Sequence, residues 1–138
     1  MKVFISYAGA DRDLAKRVAN ALRRAGMSVW LFDDEIQPGE NWAAKLAQGL
    51  EAAEVLISLL SPAALASRLV RHDLDFALGN SHLAGKLVPV WCGPAETLES
   101  ANFPWILRRL NLLQFPVNEP QEDAIQRIVQ AVQALAVS

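Results

Sequence analysis

The chain has 138 residues, of which 52% are hydrophobic and 20% are charged, a balance typical of one globular domain with its own core. Its net charge of −2 excludes the strongly basic surface of most nucleic-acid-binding domains, so we expect no nucleic-acid partner. A single cysteine, Cys92, excludes an internal disulfide, and His72 and His82 alone do not make a metal site. No segment approaches the ~20 apolar residues of a membrane span, so we expect a cytoplasmic protein without a membrane partner.

The first half of the chain alternates short apolar runs with amphipathic segments. Asp11 is expected to cap a first helix, and Gly26 is expected to end it in a left-handed conformation. The apolar face of that helix is predicted to carry Leu14, Val18, Ala21, Leu22 and Ala25. The predicted order is a strand at 3–7, this helix, a strand at 28–32, a polar loop at 33–41, a helix at 42–52 and a strand at 55–60.

The second half continues the alternation less regularly. Ser61 followed by Pro62 is typical of a helix N-terminus, which predicts one helix over 62–78. Residues 87–91 predict a fourth strand, in which Pro89 must lie where no ladder hydrogen bond is needed. The remaining predictions are a short helix at 105–110 in an irregular stretch at 93–111, an edge strand at 112–115, and a C-terminal helix with Ile125, Ile128, Val129, Val132 and Leu135 on its apolar face.

Strands that alternate with helices predict a flavodoxin-like three-layer α/β fold, with a central parallel sheet of about five strands flanked by helices. We expect it to form a single domain over 1–138. Ligand sites in this architecture lie in the loops at the carboxyl ends of the strands. The sequence lacks a glycine-rich phosphate loop, a three-glycine dinucleotide fingerprint and a GxSxG nucleophile, which excludes several enzyme classes of this fold.

Three segments lie at the first three predicted strands, in the order FISYAGADRDLA, VWLFDDEIQPGENW and SPAALASRLVRHDLDFAL. Together, at this spacing, they resemble the TIR (Toll/interleukin-1 receptor) domain family over essentially the whole chain, in particular its bacterial members. The middle segment is similar to the family's second strand and its BB loop. The resemblance implies the flavodoxin-like fold, and it implies NAD+ as a substrate, because many TIR domains cleave or cyclise it.

The resemblance places the family's catalytic glutamate at Asp73 and the tryptophan four residues before it at Leu69, so both positions depart from the family's pattern. Cleavage of NAD+ develops positive charge on the ribose, which a carboxylate held against it stabilises. Aspartate has the same charge but a reach shorter by about an ångström, enough to cost about a hundredfold in rate if the backbone does not compensate. Two interpretations of Asp73 stay open, a catalytic carboxylate and a solvated helix carboxylate. We expect Asp75 to point toward the opposite side of the helix, and His72 to be a surface residue rather than a base.

Other site residues follow from the same resemblance. Tyr7, Ala8 and Arg12 match positions where the family contacts phosphate or ribose, and Trp42 matches an aromatic position that stacks on a base. Core packing is an equally open role for Trp42. The predicted NAD+-binding residues are Tyr7, Ala8, Arg12, Asp33, Ile36, Gly39, Trp42 and Leu69. The BB loop also joins TIR domains in the family, and here its expected interface residues are Asp34, Ile36, Pro38 and Gly39.

Two functions remain open. In the first, the protein is an NAD+ nucleosidase or cyclase that becomes active on self-association and releases an ADP-ribose-type product in immune or anti-phage signalling. In the second, it is a catalytically weak interaction module that assembles through its BB loop. The enzyme is favoured, because a lone domain can signal through a diffusible product. No metal or bound cofactor is expected, since NAD+ would be the substrate.

Overall fold

A computed structural model of the chain describes residues 1–83, 85–93, 112–115 and 121–137. The strands are β1 (Lys2–Ser6), β2 (Ser28–Trp30), β3 (Val55–Leu60), β4 (Leu87–Trp91) and β5 (Leu113–Gln114). The α-helices are α1 (Arg12–Arg24), α2 (Phe32–Glu35), α3 (Trp42–Ala52), α4 (Pro62–Leu65), α5 (Arg68–Gly79) and α6 (Gln121–Val137). Short 3-10 turns cover Gly9–Asp11 and Ser81–Leu83.

The sheet is parallel and has the order β2-β1-β3-β4-β5. Val3 and Ile5 pack with α1 and α6 on one face, whereas Phe4 packs with α3 and α5 on the other. All six residues of β3 are buried, as expected for a central strand that helices cover on both faces. These layers confirm the predicted flavodoxin-like fold, whose strand order changes direction between β1 and β3.

The first helix has the predicted position but not the predicted cap. Gly26 has a φ of 90°, a left-handed conformation that suits glycine because it has no Cβ. Asp11 precedes α1, yet its side chain does not cap the helix. Its carboxylate instead accepts a 2.6 Å hydrogen bond from Ser61 Oγ, which links the loop after β1 to the loop after β3. Ala25 is exposed rather than apolar-facing, because it lies one residue beyond α1.

The second strand is shorter than predicted. It ends at Trp30, because residues 32–35 form the helical turn α2 instead of continuing the strand. Asp33 therefore lies on α2 and not in an open loop. Its backbone N–H donates a 3.1 Å hydrogen bond to the Tyr7 hydroxyl, so the turn is tied to the segment that follows β1.

The single helix predicted over 62–78 is in fact two helices. Ser61 caps α4, and its Oγ accepts a 3.1 Å hydrogen bond from the N–H of Ala64. Ser67 caps α5 in the same way, accepting from the N–H of Val70 at 3.3 Å. The second cap begins a new helix, and this helix carries Leu69 and Asp73.

The last part of the chain confirms a fourth strand, an edge strand and a C-terminal helix. Trp91 O accepts from Phe115 N, so Pro89, two residues earlier, faces the β5 side of β4. The β4–β5 pairing begins only at Val90, and the missing N–H of Pro89 therefore breaks no ladder bond among the described residues. The apolar face of α6 is buried as predicted, with Leu135 packed at its border. The helix predicted at 105–110 lies outside the described residues.

Candidate functional site

Asp73 lies on the inner face of α5, against the last residue of β1. Only 3% of the residue is exposed, and its Oδ2 accepts a 2.8 Å hydrogen bond from Ser6 Oγ. Its other oxygen, Oδ1, lies 3.5 Å from Nδ1 of His72. The interpretation of Asp73 as a solvated helix carboxylate is therefore wrong, because the fold holds this side chain inside the protein.

Burial changes the acidity of this carboxyl group. It raises the pKa of Asp73 from the ordinary value of 3.8 to about 6, while the hydrogen bond from Ser6 and the neighbouring His72 act in the opposite direction. Above pH 6 the structure therefore holds a negative charge in a poorly solvated place. Carboxyl groups perturbed in this way are concentrated at functional sites, because a buried charge interacts strongly with whatever approaches it.

A cavity of about 610 Å³ opens between α3 and the first turns of α5. Its volume is in the range of roughly 300–1,000 Å³ that is typical of small-molecule sites. Asp73 directly follows His72, one of the residues at its wall. The lining is mainly apolar and consists of Phe32, Trp42, Ala43, Leu46, Ala47, Arg68, Leu69 and His72.

The structure places two predicted residues, Trp42 and Leu69, at the wall of this cavity. Trp42 is 52% exposed, so the core-packing role considered for it is wrong, and its indole forms part of the cavity wall. Leu69 lines the same cavity. His72 and Asp75 are exposed, as predicted, but His72 is also part of the wall. A smaller cavity of about 340 Å³ lies between β2 and α3 and extends from Lys2 and Ser28 to Glu35 and Lys45.

Three further predicted residues meet in a second polar cluster, which consists of Tyr7, Arg12 and Asp33. The Tyr7 hydroxyl and Arg12 Nε both donate to Asp33 Oδ2, the latter over 3.1 Å. Burial is the main cause that raises the pKa of Tyr7, and the carboxylate of Asp33 adds to it. The phenol is therefore neutral at physiological pH. The Arg12 side chain is 53% exposed, so its charge faces solvent at the carboxyl ends of the strands.

The BB loop, residues 36–41, is held by hydrogen bonds and an ion pair near its ends, and its tip is exposed. Gln37 N donates to Glu40 Oε1 at 2.9 Å, and Lys45 pairs with Glu40 while donating to Glu35 O. Pro38 and Gly39 are exposed, and Gly39 has a φ of 87°.

The side chains predicted for the BB-loop interface do not share one environment. Ile36 is half-buried. Asp34 lies on α2 rather than in the loop and pairs with Arg23 at 3.0 Å. Both of these charged side chains are about 40% exposed, and such surface pairs contribute about 0–1 kcal/mol.

The predicted residue Ala8 and the unpredicted residue Ser6 are both buried. Ala8 is buried against Leu60 and Trp91, so its side chain contributes to packing rather than to the cavity. Ser6 was not among the predicted site residues, although it makes the shortest contact to Asp73 described above. The signal for it was a hydroxyl directly after the apolar run at 3–5, where a buried polar side chain needs a partner.

Within the described ranges, no group of three His, Cys, Asp or Glu side chains is placed to hold a metal ion. None of the helices in the same ranges is long and apolar enough to cross a bilayer. Cys92 follows β4, and its N–H donates to Leu60 O at 2.7 Å. Burial, with a smaller effect of Asp11, raises the pKa of its thiol to about 12.

The fold and the arrangement of these loops agree with the comparison to known families. The family model of the TIR domain matches residues 3–129, and the chain belongs to the TIR domain family. The structure of the TIR domain of the Toll-related receptor TRR-2 from Hydra magnipapillata superposes with a TM-score of 0.74. That match covers 95% of this chain and 97% of the receptor domain at 18% identity, and it supports the fold alone.

Two curated relatives have names that state an activity. The chain is 25% identical over 130 residues to a protein of Methanobrevibacter olleyae named probable 2' cyclic ADP-D-ribose synthase TcpO, a match covering 91% of this chain. It is 30% identical over 92 residues to the NAD(+) hydrolase PdTIR of Paracoccus denitrificans, a match covering 64% of this chain. The matches span 38% and 30% of these relatives, so the chain corresponds to a minor part of each.

Proposed function

We propose that this TIR domain cleaves NAD+ at the nicotinamide–ribose bond and releases an ADP-ribose-type product, linear or cyclic. The observation that carries the proposal is the buried carboxylate of Asp73, whose Oδ1 lies 3.5 Å from His72, a residue in the wall of an apolar cavity of about 610 Å³. The relatives named as an NAD+ hydrolase and a cyclic ADP-ribose synthase support the same substrate. In this proposal NAD+ is the substrate, no bound cofactor takes part, and the product acts in immune or anti-phage signalling in the cytoplasm.

The reaction suits a site that offers charge rather than a strong acid. The bond between ribose C1′ and the pyridinium nitrogen breaks, and its electron pair leaves with nicotinamide, which becomes neutral and needs no proton. The positive charge that develops at the ribose is stabilised by the carboxylate of Asp73. Water, or a hydroxyl of the same molecule in the cyclisation, then attacks C1′ and loses its proton to solvent.

Three features of the site suit different parts of the substrate. A flat, apolar wall that includes Trp42 and Leu69 suits an aromatic ring of the dinucleotide. The exposed charge of Arg12, held by Asp33, suits the pyrophosphate, because guanidinium groups bind phosphate oxygens through fixed pairs of donors. Asp73 would then meet the ribose next to nicotinamide through Oδ1, the oxygen on the side of His72.

The test is NAD+ turnover by concentrated protein, followed by chromatography of the products, for the wild type, Asp73→Asn and Asp75→Asn. Removing one electrostatic stabiliser costs about 10²–10³ in rate, so we expect Asp73→Asn to lose at least about a hundredfold. Asp75→Asn is the matched control, because it removes an exposed carboxylate from the same helix. Equal turnover in Asp73→Asn and Asp75→Asn would exclude Asp73 as the catalytic carboxylate, and an inactive wild type would exclude the proposal.

The alternative function, an interaction module, is favoured by the exposed tip of the BB loop. Pro38 and Gly39 present an uncharged surface that is available for a second TIR domain. The left-handed φ of Gly39 makes Gly39→Ala a backbone perturbation confined to this tip. The interaction module would be supported if the wild type does not turn over NAD+ but self-associates, and if Gly39→Ala no longer self-associates. Turnover that rises with protein concentration and is lost in Gly39→Ala would support an enzyme activated by assembly.

A further inference from the structure

Ser6 is the last residue of β1 and is only 2% exposed. Its hydroxyl donates to Asp73 Oδ2 at 2.8 Å, which joins the end of a central strand to the inner face of α5. Both partners are almost completely removed from solvent, so water does not compete for this hydrogen bond. A hydrogen bond between a hydroxyl and a carboxylate in such a place is stronger than one at the surface.

Ser58 on β3 provides a natural comparison. It is the register partner of Ser6 in the parallel pairing of the two strands, so the two side chains point to the same face of the sheet. Ser58 is 0% exposed, and its Oγ has no hydrogen-bond partner among the described residues. The same residue type, at the same height of the sheet, therefore contacts the carboxylate in one strand and not in the other. The contact to Asp73 belongs to Ser6 specifically.

The two carboxylate oxygens of Asp73 have different surroundings. Oδ2 faces the sheet and is held by Ser6, whereas Oδ1 faces His72 at the wall of the cavity. A carboxylate fixed at one oxygen has lost its rotation about the Cβ–Cγ bond, and the second oxygen keeps a fixed direction. The short side chain of aspartate makes this direction important, since a misplacement of about 1 Å at a reacting centre can cost about a hundredfold in rate.

We propose that Ser6 is a positioning residue that holds Asp73 Oδ2 and thereby directs Oδ1 toward the ribose in the cavity. This role rests on the function proposed above and adds to it a residue that does not touch the substrate. Ser6 acts on the transition state through the orientation of Asp73. It leaves the binding of NAD+ to the cavity wall and to Arg12.

The experiment compares Ser6→Ala, Ser6→Cys and the matched control Ser58→Ala in the full chain. We expect Ser6→Ala to lower kcat for NAD+ about tenfold and to leave KM within about twofold, because the lost hydrogen bond orients a group that acts in the transition state. Ser6→Cys has nearly the same size and a weak S–H donor, so its kcat should lie between those of wild type and Ser6→Ala. Ser58→Ala should match the wild type. Thermal unfolding of each variant verifies that it is folded.

An NMR titration of the Asp73 carboxyl carbon gives a readout that does not depend on turnover. The hydroxyl of Ser6 stabilises the ionised form, and His72 is the titratable group beside Asp73 that acts in the same direction. Loss of the Ser6 donor should raise the pKa of Asp73 further, and Ser58→Ala should leave it unchanged.

The outcomes separate this proposal from the one on which it rests. A wild type without NAD+ turnover overturns the proposed function, while a raised pKa in Ser6→Ala would still establish the contact. An active wild type in which Ser6→Ala and Ser58→Ala have equal kcat overturns the role of Ser6 alone. An Asp73 pKa that is the same in Ser6→Ala and wild type also overturns it.

Discussion

Two aspartates stand near the carboxyl ends of neighbouring strands, and their surroundings differ. Asp33 belongs to a partly exposed cluster in which the Tyr7 hydroxyl and Arg12 Nε both donate to one of its oxygens. Asp73 is buried, receives one hydrogen bond from Ser6 and has its second oxygen 3.5 Å from His72. The first carboxylate is compensated by a cation, whereas the second has its pKa raised by burial to about 6.

In the proposed function, this difference separates a carboxylate with a structural role, Asp33, from one with a catalytic role, Asp73. The carboxylate of Asp33 binds the Tyr7 hydroxyl and the Arg12 guanidinium. It therefore connects the segment after β1 to α2 and holds the charge of Arg12 where a ligand can reach it. A carboxylate that is buried with few donors destabilises its own ionised form, so it gains from a positive charge that appears beside it. An oxocarbenium-like ribose is such a charge. The following predictions test this contrast, from the largest expected effect to the smallest.

The largest effect concerns stability as a function of pH. The folded state raises the pKa of Asp73 from 3.8 to about 6, so the ionised group destabilises the fold. Below pH 3.8 the carboxyl group is neutral in both states and costs the wild type no free energy of unfolding. The free energy of unfolding then falls as the pH rises through about 6, and it stays reduced above that pH. Each pKa unit is worth about 1.4 kcal/mol, which gives about 3 kcal/mol at pH 8. Asp73→Asn, which stays neutral, should therefore unfold at a higher temperature than wild type at pH 8.

The measurement is thermal or denaturant unfolding of both proteins between pH 4 and pH 8. All other groups titrate alike in the two proteins, so they do not contribute to the difference in stability between wild type and Asp73→Asn. The extra stability of Asp73→Asn should therefore decrease toward pH 4. A variant less stable than wild type at pH 8 would show that the ionised carboxylate is compensated in the folded state, and the contrast with Asp33 would then disappear.

The second prediction concerns the cation of the Asp33 cluster. Arg12→Gln should raise KM for NAD+ about tenfold and change kcat less than twofold, because phosphate binding is equal in the ground state and the transition state. Arg24→Gln removes an exposed charge from the last turn of the same helix and serves as the control. Steady-state kinetics measure both constants. A loss confined to kcat in Arg12→Gln would place this arginine at the reacting bond instead.

The smallest effect concerns the phenol that anchors α2. Tyr7→Phe removes two half-buried hydrogen bonds with Asp33, one that the hydroxyl donates to Oδ2 and one that it accepts from the backbone N–H. Arg12 still compensates the carboxylate. We expect a loss of about 1 kcal/mol in the free energy of unfolding. Urea unfolding at pH 6 and pH 8 measures it. The loss should be the same at both pH values, because the Tyr7 phenol stays neutral over this range. A loss that is present at only one of the two pH values would contradict this expectation.

The sequence predicted the fold in outline because the fold depends on long-range patterns. The continuous apolar run of β3 and the helical spacing of apolar residues on α6 each involve many residues. These predictions therefore held even where individual local contacts differed from those expected. Local hydrogen bonds determined the helix boundaries and caps that the sequence did not predict. Ser67 divides one predicted helix into two, and Asp11 uses its carboxylate for Ser61 instead of for a cap. The sequence contains the same serine and aspartate in either arrangement, so only the tertiary contacts select one.

The candidate site was predicted less evenly. Trp42 and Leu69 line the same cavity. Tyr7, Arg12 and Asp33 form one cluster. Both groupings were expected, because these residues follow successive strands of the sheet. The burial of Asp73 was not predictable from its helical position, because it depends on which face of α5 the sheet covers. The partnership with Ser6 spans 67 residues of sequence and was missed for the same reason.

The half-buried thiol of Cys92 makes selective chemical labelling of this protein straightforward. With a pKa of about 12, roughly one molecule in 10⁴ carries a thiolate at pH 8, which makes this sulfur a poor target for maleimides. Cys92 is also the single cysteine of the chain. A second cysteine introduced at an exposed wall position such as Ala43 or Ala47 would therefore be modified alone, without first replacing the natural one. A fluorophore attached there would report directly on a molecule that enters the cavity.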